Sequence, residues 1–239
     1  KGNLVNKFSV PASKGLHRVT WDLRESWIVP IRKNEKVEGN DPKGFLVEPG
    51  LYSATMVKVY EGKNEWSSSQ VSFDVVPLRD GAVPKASTEE RQAFYTRYRN
   101  ALSERSVMQT RMNEHKNLAE AMRVSLKRAK VEPGKDGLDA RLIALQKEFL
   151  AIDYIINGYQ IKDKVGEKND PTLGDRLGAA GGVTWGSTYG PTSTAIESLT
   201  IAEKTIADIQ SRLNDIEQKI AKLDEEMKVL GAPIILGND

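Results

Sequence analysis

Residues 196–230, IESLTIAEKTIADIQSRLNDIEQKIAKLDEEMKVL, carry apolar side chains at Ile196, Leu199, Ala202, Ile206, Ile209, Leu213, Ile216, Ile220, Leu223, Met227 and Leu230. Steps of three and four residues place all of them on one stripe of a long α-helix. Gly231-Ala232-Pro233 then supplies the glycine-before-proline order that ends helices. Upstream, Leu138, Leu142, Leu145, Phe149, Ile152, Ile156 and Tyr159 repeat the same steps and predict a helix from about Gly137 to about Lys164. A third seam runs through Phe94, Tyr98, Ala101, Arg105, Met108, Met112, His115, Ala119, Met122, Leu126 and Ala129. It opens at Ser87-Thr88-Glu89-Glu90, a capping-box pattern, and closes at Pro133-Gly134. The helices starting at Ser87 and Ile196 would each reach roughly 60 Å and cannot bury their stripes alone. The expectation for 85–239 is an elongated antiparallel three-helix bundle, coiled-coil-like, in which Arg105 and His115 set register from seam positions. The alternative is an oligomeric coiled coil in which the last seam pairs between chains.

Before Pro84 the apolar period changes from 3.6 to 2. Residues 4–10 (LVNKFSV) and 16–24 (LHRVTWDLR) alternate, the latter placing Val19, Trp21 and Leu23 on one face. Pro49-Gly50 turns into the alternating run 51–60, Gly62-Lys63-Asn64 offers a hairpin connection, and 70–75 alternates again. The stretch from Ile28 to Lys43 reads as a long polar loop. Short strands with one apolar face each predict a small immunoglobulin-like β-sandwich over 1–84, with a further strand upstream of Lys1. The fold class is therefore multidomain β plus α.

Residues 166–190 are glycine-rich, with Gly178, Gly181, Gly182, Gly186 and Gly190, and hold Trp185 and Tyr189. Asp170-Pro171-Thr172-Leu173 precedes them and can start a short helical turn. A loop of this length inside a compact domain is either functional or disordered. The aromatic pair favours a loop docked on the bundle, in the gap left by the shortest helix; a ligand-binding surface at Trp185 and Tyr189 is the other reading.

The chain has 239 residues, 35 Lys+Arg against 33 Asp+Glu, two histidines and no cysteine. The near-balance of charge, with an isoelectric point near 8.6, argues against a nucleic-acid binder. Absence of cysteine removes disulfides, thiolate metal sites and thiol nucleophiles together. No apolar run is long enough to span a membrane. The opening Lys1-Gly2-Asn3-Leu4 has neither an initiator Met nor a signal-peptide apolar region, so a processed form or a piece of a longer protein is expected. His17 and His115 fall in different predicted domains, which suits neither a metal set nor catalysis. Asp22, Glu25 and Glu48 read as solvated. Glu38-Gly39-Asn40-Asp41 offers oxygen ligands without the spacing of a calcium loop. Gly178-Ala179-Ala180-Gly181-Gly182 lacks the Gly-Lys-Ser/Thr ending of a phosphate cradle. No catalytic residue, metal or cofactor is assigned.

Gly15-Leu16-His17-Arg18-Val19-Thr20-Trp21-Asp22-Leu23-Arg24 followed by Val47-Glu48-Pro49-Gly50-Leu51-Tyr52 resembles immunoglobulin-like modules related to the C-terminal domain of the flagellar hook-capping protein. With Asp170-Pro171-Thr172-Leu173, Gly190-Pro191-Thr192 and the ending Leu230-Gly231-Ala232-Pro233, the chain is similar to the C-terminal region of secreted bacterial proteins, often of Bacteroidetes type. The N-terminal part of those proteins is a sortilin-like or BNR-repeat β-propeller. The resemblance implies Trp21 and Tyr52 as sandwich core, Pro49 and Gly50 as its turn, a propeller upstream of Lys1, and export to the cell envelope or beyond. It transfers no active site. The functional expectation is a non-catalytic spacer or protein-docking region, whose partner is another protein or that propeller. The alternative is a carbohydrate-binding accessory region in which Trp185, Tyr189, Trp27 or Trp66 stacks on sugar rings.

Overall fold

The structure is a computed structural model describing residues 2–10, 13–27, 30–31, 43–79, 81, 84–130, 132, 134 and 137–235. Most of the expected loop from Ile28 to Lys43, including Glu38-Gly39-Asn40-Asp41, and the Pro133 stop lie outside the described residues.

Among the described residues six short strands come first: β1 (Arg24–Ser26), β2 (Lys43–Leu46), β3 (Gly50–Ala54), β4 (Val57–Tyr60), β5 (Lys63–Ser67) and β6 (Val71–Val75). They form three antiparallel pairs, β1 with β2, β3 with β6 and β4 with β5. The β4–β5 hairpin turns at Glu61 (φ 47°) and Gly62 (φ 76°), the left-handed pair that a tight hairpin needs. Residues 51–60, read as one strand, are two, because β3 and β4 pair with different partners. Of the two expected strands at 4–10 and 16–24, only Arg24 joins a ladder. Asn6 is tied to this region by side-chain bonds instead: its Nδ2 donates to the Arg24 carbonyl at 2.9 Å and its Oδ1 accepts from Ser26 Oγ at 2.9 Å. Trp21 packs edge-on against Tyr52 at 5.6 Å and Phe73 at 6.1 Å, while Val19 and Leu23 of the same expected face remain exposed.

Five helices follow among the described residues: α1 (Thr88–Arg128), α2 (Leu138–Asn157), α3 (Gln160–Lys164), α4 (Leu173–Gly186) and α5 (Ser193–Val229). Ser87 caps α1 as read, its hydroxyl accepting from the Glu90 amide at 3.1 Å while the Glu90 carboxylate accepts from the Ser87 amide at 2.8 Å. Gly231, at φ 71°, ends α5 with two backbone bonds, its own amide to Lys228 O and that of Ala232 to Met227 O, both 3.0 Å. This pairing satisfies carbonyls that the last turn would otherwise leave bare. Two expectations need correction. The helix expected from 137 to 164 breaks at Gly158 (φ 75°), leaving α3 separate. The glycine-rich stretch holds a helix rather than only a loop: Thr172 and Asp175 form a capping box for α4, and Leu173, Leu177, Ala180 and Thr184 are buried at helical spacing.

α1 and α5 lie side by side and parallel. Arg97 reaches Thr200 and Glu203, and 14 residues further on Arg111 reaches Asn214 and Glu217. Both Arg–Glu pairs span 106 residues, so the two helices keep one register over two heptads. α2 runs the other way, since Arg141 bonds Glu226 while Glu148 bonds Lys219. It covers the C-terminal half of α1; α4 covers the N-terminal half, where Gly181 faces Tyr98. The seams are buried nearly as read, except that Ile196 is exposed and Ala195 and Ser198 turn inward, where α4 packs on α5. No helix among the described residues is long and apolar enough to cross a membrane.

Two predictions follow from this packing. A Cβ on Gly181 would lie 2.7 Å from Tyr98 Cζ, whereas one on Gly178 meets nothing within 4 Å. Gly181→Ala is therefore expected to destabilise by about 1–3 kcal/mol and Gly178→Ala to stabilise by up to about 1 kcal/mol, measured by chemical denaturation. Burial disfavours the Glu217 anion, but hydrogen bonds from Arg111 and His115 outweigh it and hold the carboxyl below its ordinary 4.5. A lowered pKa stabilises the fold above the ordinary value and ceases to do so as the group protonates. The stability gap between the native chain and Glu217→Gln, about 1 kcal/mol at pH 7, should close as pH falls below 4.5.

Candidate functional site

Strand β2 places Phe45, 1% exposed, against the first turns of α1 and the end of α4. It stacks on Tyr95 with centroids 4.5 Å apart and meets Trp27 edge-on at 5.2 Å. Trp185, from the last turn of α4, lies 5.7 Å from Phe45 and 5.8 Å from Trp27. Two guanidinium groups cover these rings. Arg99 lies 5.4 Å from the Phe45 centroid and 6.0 Å from that of Trp27, and Arg24 lies 5.5 Å from Trp185. Arg24 is held by a bond from Nη1 to the Gly44 carbonyl at 3.0 Å. Gly44 is required here, since a Cβ would collide with the Glu25 backbone.

Two ion pairs flank the cluster. Arg99 binds Glu25, and burial pushes the Glu25 carboxyl up despite the pull of that guanidinium. Arg99 Nε is buried without a hydrogen-bond partner among the described residues. Arg91, whose side chain is 5% exposed, binds Glu48 through both nitrogens of its fork, with Nε to Oε1 at 2.9 Å, and also donates to the Ala86 carbonyl. The Glu48 hydrogen bond raises the Arg91 pKa further. Glu25 and Glu48 are thus structural partners and not solvated surface groups, a correction to the sequence reading; Asp22 stays at the surface, paired with Lys43 at 2.8 Å. Nothing in the sequence signals these pairs, because Glu48 and Arg91 are 43 residues apart.

Trp185 is 43% exposed and Tyr189 39% exposed, and no ring contact joins them among the described residues. The Tyr189 carbonyl accepts from the Ala86 amide at 2.8 Å, which pins the segment between α4 and α5 to the entry of α1. Trp185 is tilted 52° to Trp27 and 46° to Phe45, so its rings make an interlocked cluster and not a flat platform. Trp66 is half-exposed on β5, remote in sequence from both. His17 bonds Ser13, and His115 shares Glu217 with Arg111, so the two imidazoles serve separate local structures. A surface depression of about 130 Å³ between α2 and α5 is lined partly by Glu148, Arg212, Asp215 and Lys219. Within it Lys219 closes onto Glu148, while Arg212 pairs along its own helix with Asp208. Among the described residues no group of three or more His, Asp or Glu side chains is placed to hold a metal ion.

No family model matches the chain, nor does any curated protein or solved structure. The geometry therefore stands on its own chemistry, which is that of a clamp: apolar rings give contact area and bidentate charge pairs give direction. Removing one partner of a buried pair strands the other. Arg91→Met is expected to lower stability by about 3 kcal/mol, and Arg91→Met with Glu48→Gln to recover part of that loss in a double-mutant cycle.

Proposed function

We propose that this chain is a non-catalytic accessory region of a secreted multidomain protein, serving as a spacer and as a docking surface for a protein partner, in the extracellular space or cell envelope. One observation carries the reading. The helices bury their apolar seams along their length, whereas the β pairs leave Leu51, Val57, Val59, Trp66 and Val71 between 46% and 74% exposed. Apolar side chains left open on both the β3–β6 and the β4–β5 pair are available for another element to cover. In the finer fold reading, the three β pairs are parts of an immunoglobulin-like sandwich and the helices an elongated three-helix bundle, with α2 and α4 sharing one row. Opposed directions of α1 and α2, and the parallel register of α1 and α5, support the bundle. Resemblance of Gly15–Arg24 and Val47–Tyr52 to hook-capping-type modules, and of the whole to the region following a sortilin-like or BNR-repeat propeller, supports secretion and the accessory role.

Exposure of Trp185, Tyr189 and Trp66 favours a second reading, carbohydrate binding, although the tilt between Trp185 and its neighbours offers a sugar ring no flat face. The two separate in a paired experiment: capture of proteins by the folded chain from envelope and extracellular fractions, beside a glycan array. Docking predicts a blank array and a specific protein captured by the native chain and by Trp185→Ala, but lost on Val71→Lys. Glycan binding that disappears with Trp185→Ala overturns it.

A further inference from the structure

The outward face of α2 differs from those of its neighbours. On α5 the exposed Ile196 and Val229 stand at the two ends of the helix, and the exposed positions between them are charged or polar apart from Ala207 and Ala221, with the ion pairs Asp208–Arg212 and Asp224–Lys228 among them. On α1 the exposed Val107 and Val124 stand singly among polar residues. α2 instead presents Ile143, Leu150 and Tyr154, between 38% and 47% exposed, with Ala140, Ala144 and Ala151 exposed between them. This second stripe lies opposite the buried Leu142, Leu145, Phe149 and Ile152, and it covers about 21 Å of helix. At its centre stands one charge, Lys147, which pairs with no carboxylate among the described residues. The charged residues along the rims are already engaged, Arg141 with Glu226 and Glu148 with Lys219.

Small residues between large ones let a second helix approach closely, and spacing of three and four residues matches the stripe of an amphipathic helix. A second copy of this face, turned about a two-fold axis at the centre of the stripe, would set Lys147 against its own counterpart, a like-charge contact that opposes self-pairing. A carboxylate there would complete the face. We infer that the outward face of α2 is a docking site for an amphipathic helix of another protein that carries an Asp or Glu at the middle of its apolar stripe. It is a different face from the β strands, so its success or failure does not decide the function proposed above.

The test uses the full chain and two designed helical peptides of about 15 residues. They share an apolar stripe at three-and-four spacing and differ only in a central Glu or Lys. Fluorescence anisotropy should show the Glu peptide binding at least about tenfold more tightly than the Lys peptide. Lys147→Glu should reverse that preference, and Leu150→Asp should abolish binding by both peptides with the melting transition retained. Absence of binding, equal affinity for the two peptides, or a preference that Lys147→Glu leaves unchanged overturns the inference. So does self-association in sedimentation that Leu150→Asp dissolves, which would assign the face to a second copy.

Discussion

Helix α1 runs for 41 residues, and α2, at 20 residues, covers only about half of it. The rest of the helical architecture follows from that mismatch. α5 matches α1 in length and runs beside it in a single register, but two helices leave a groove on the side that α2 vacates after Gly158. α4 fills that groove, although four of its interior residues are glycine and each costs helix stability of up to about 1 kcal/mol relative to alanine. Tertiary packing outweighs the propensity. Gly181 is the price of admitting the Tyr98 hydroxyl end, and that tyrosine stacks in turn on Phe94 at an interplanar angle of 2°.

The same end of the helices receives the β strands. Among the described residues Phe45 is the one large apolar side chain of the strands that is fully buried, and it is buried against α1 and α4. The β part therefore takes its firmest anchorage from the helices, through Phe45, Arg91–Glu48 and Arg99–Glu25, and leaves Leu51, Val57, Val59 and Val71 open, while Tyr52 and Phe73 pack with Trp21. Polar pairs fix direction here because rings alone would slide: a bidentate guanidinium–carboxylate contact has one good geometry. Under the function proposed above, the junction is the element that would hold the docking surface at a set angle to the helices.

Periodicity made the long helices legible, since a stripe of 11 apolar residues in 35 has few alternative explanations. It also located their caps at Ser87 and Gly231. It failed where the local signal was weak or the partner distant. α4 was obscured by glycine, though Thr172 and Asp175 repeat the Ser87–Glu90 spacing and Leu173, Leu177, Ala180 and Thr184 keep helical steps. Alternation at 4–10 and 16–24 is a statement about which face is apolar, and a ladder needs a neighbouring strand that alternation does not name. Of the candidate site, Trp185 was legible as an aromatic in an unusual setting; Phe45, Arg91 and Arg99 were not, because their roles arise only when strand and helix meet.

The fit of α2 and α4 along α1 requires α1 and α5 to run parallel with a fixed offset. Because the chain has no cysteine, pairs of introduced cysteines can carry spin labels without background. Electron-paramagnetic distance measurements on Lys127→Cys/Lys228→Cys and Lys127→Cys/Lys204→Cys would read the direction of α5 directly. The structure predicts a short distance for the first pair and one about 30 Å longer for the second, since Lys204 lies 24 residues from Lys228 along α5. The reverse order, or equal distances, would contradict it.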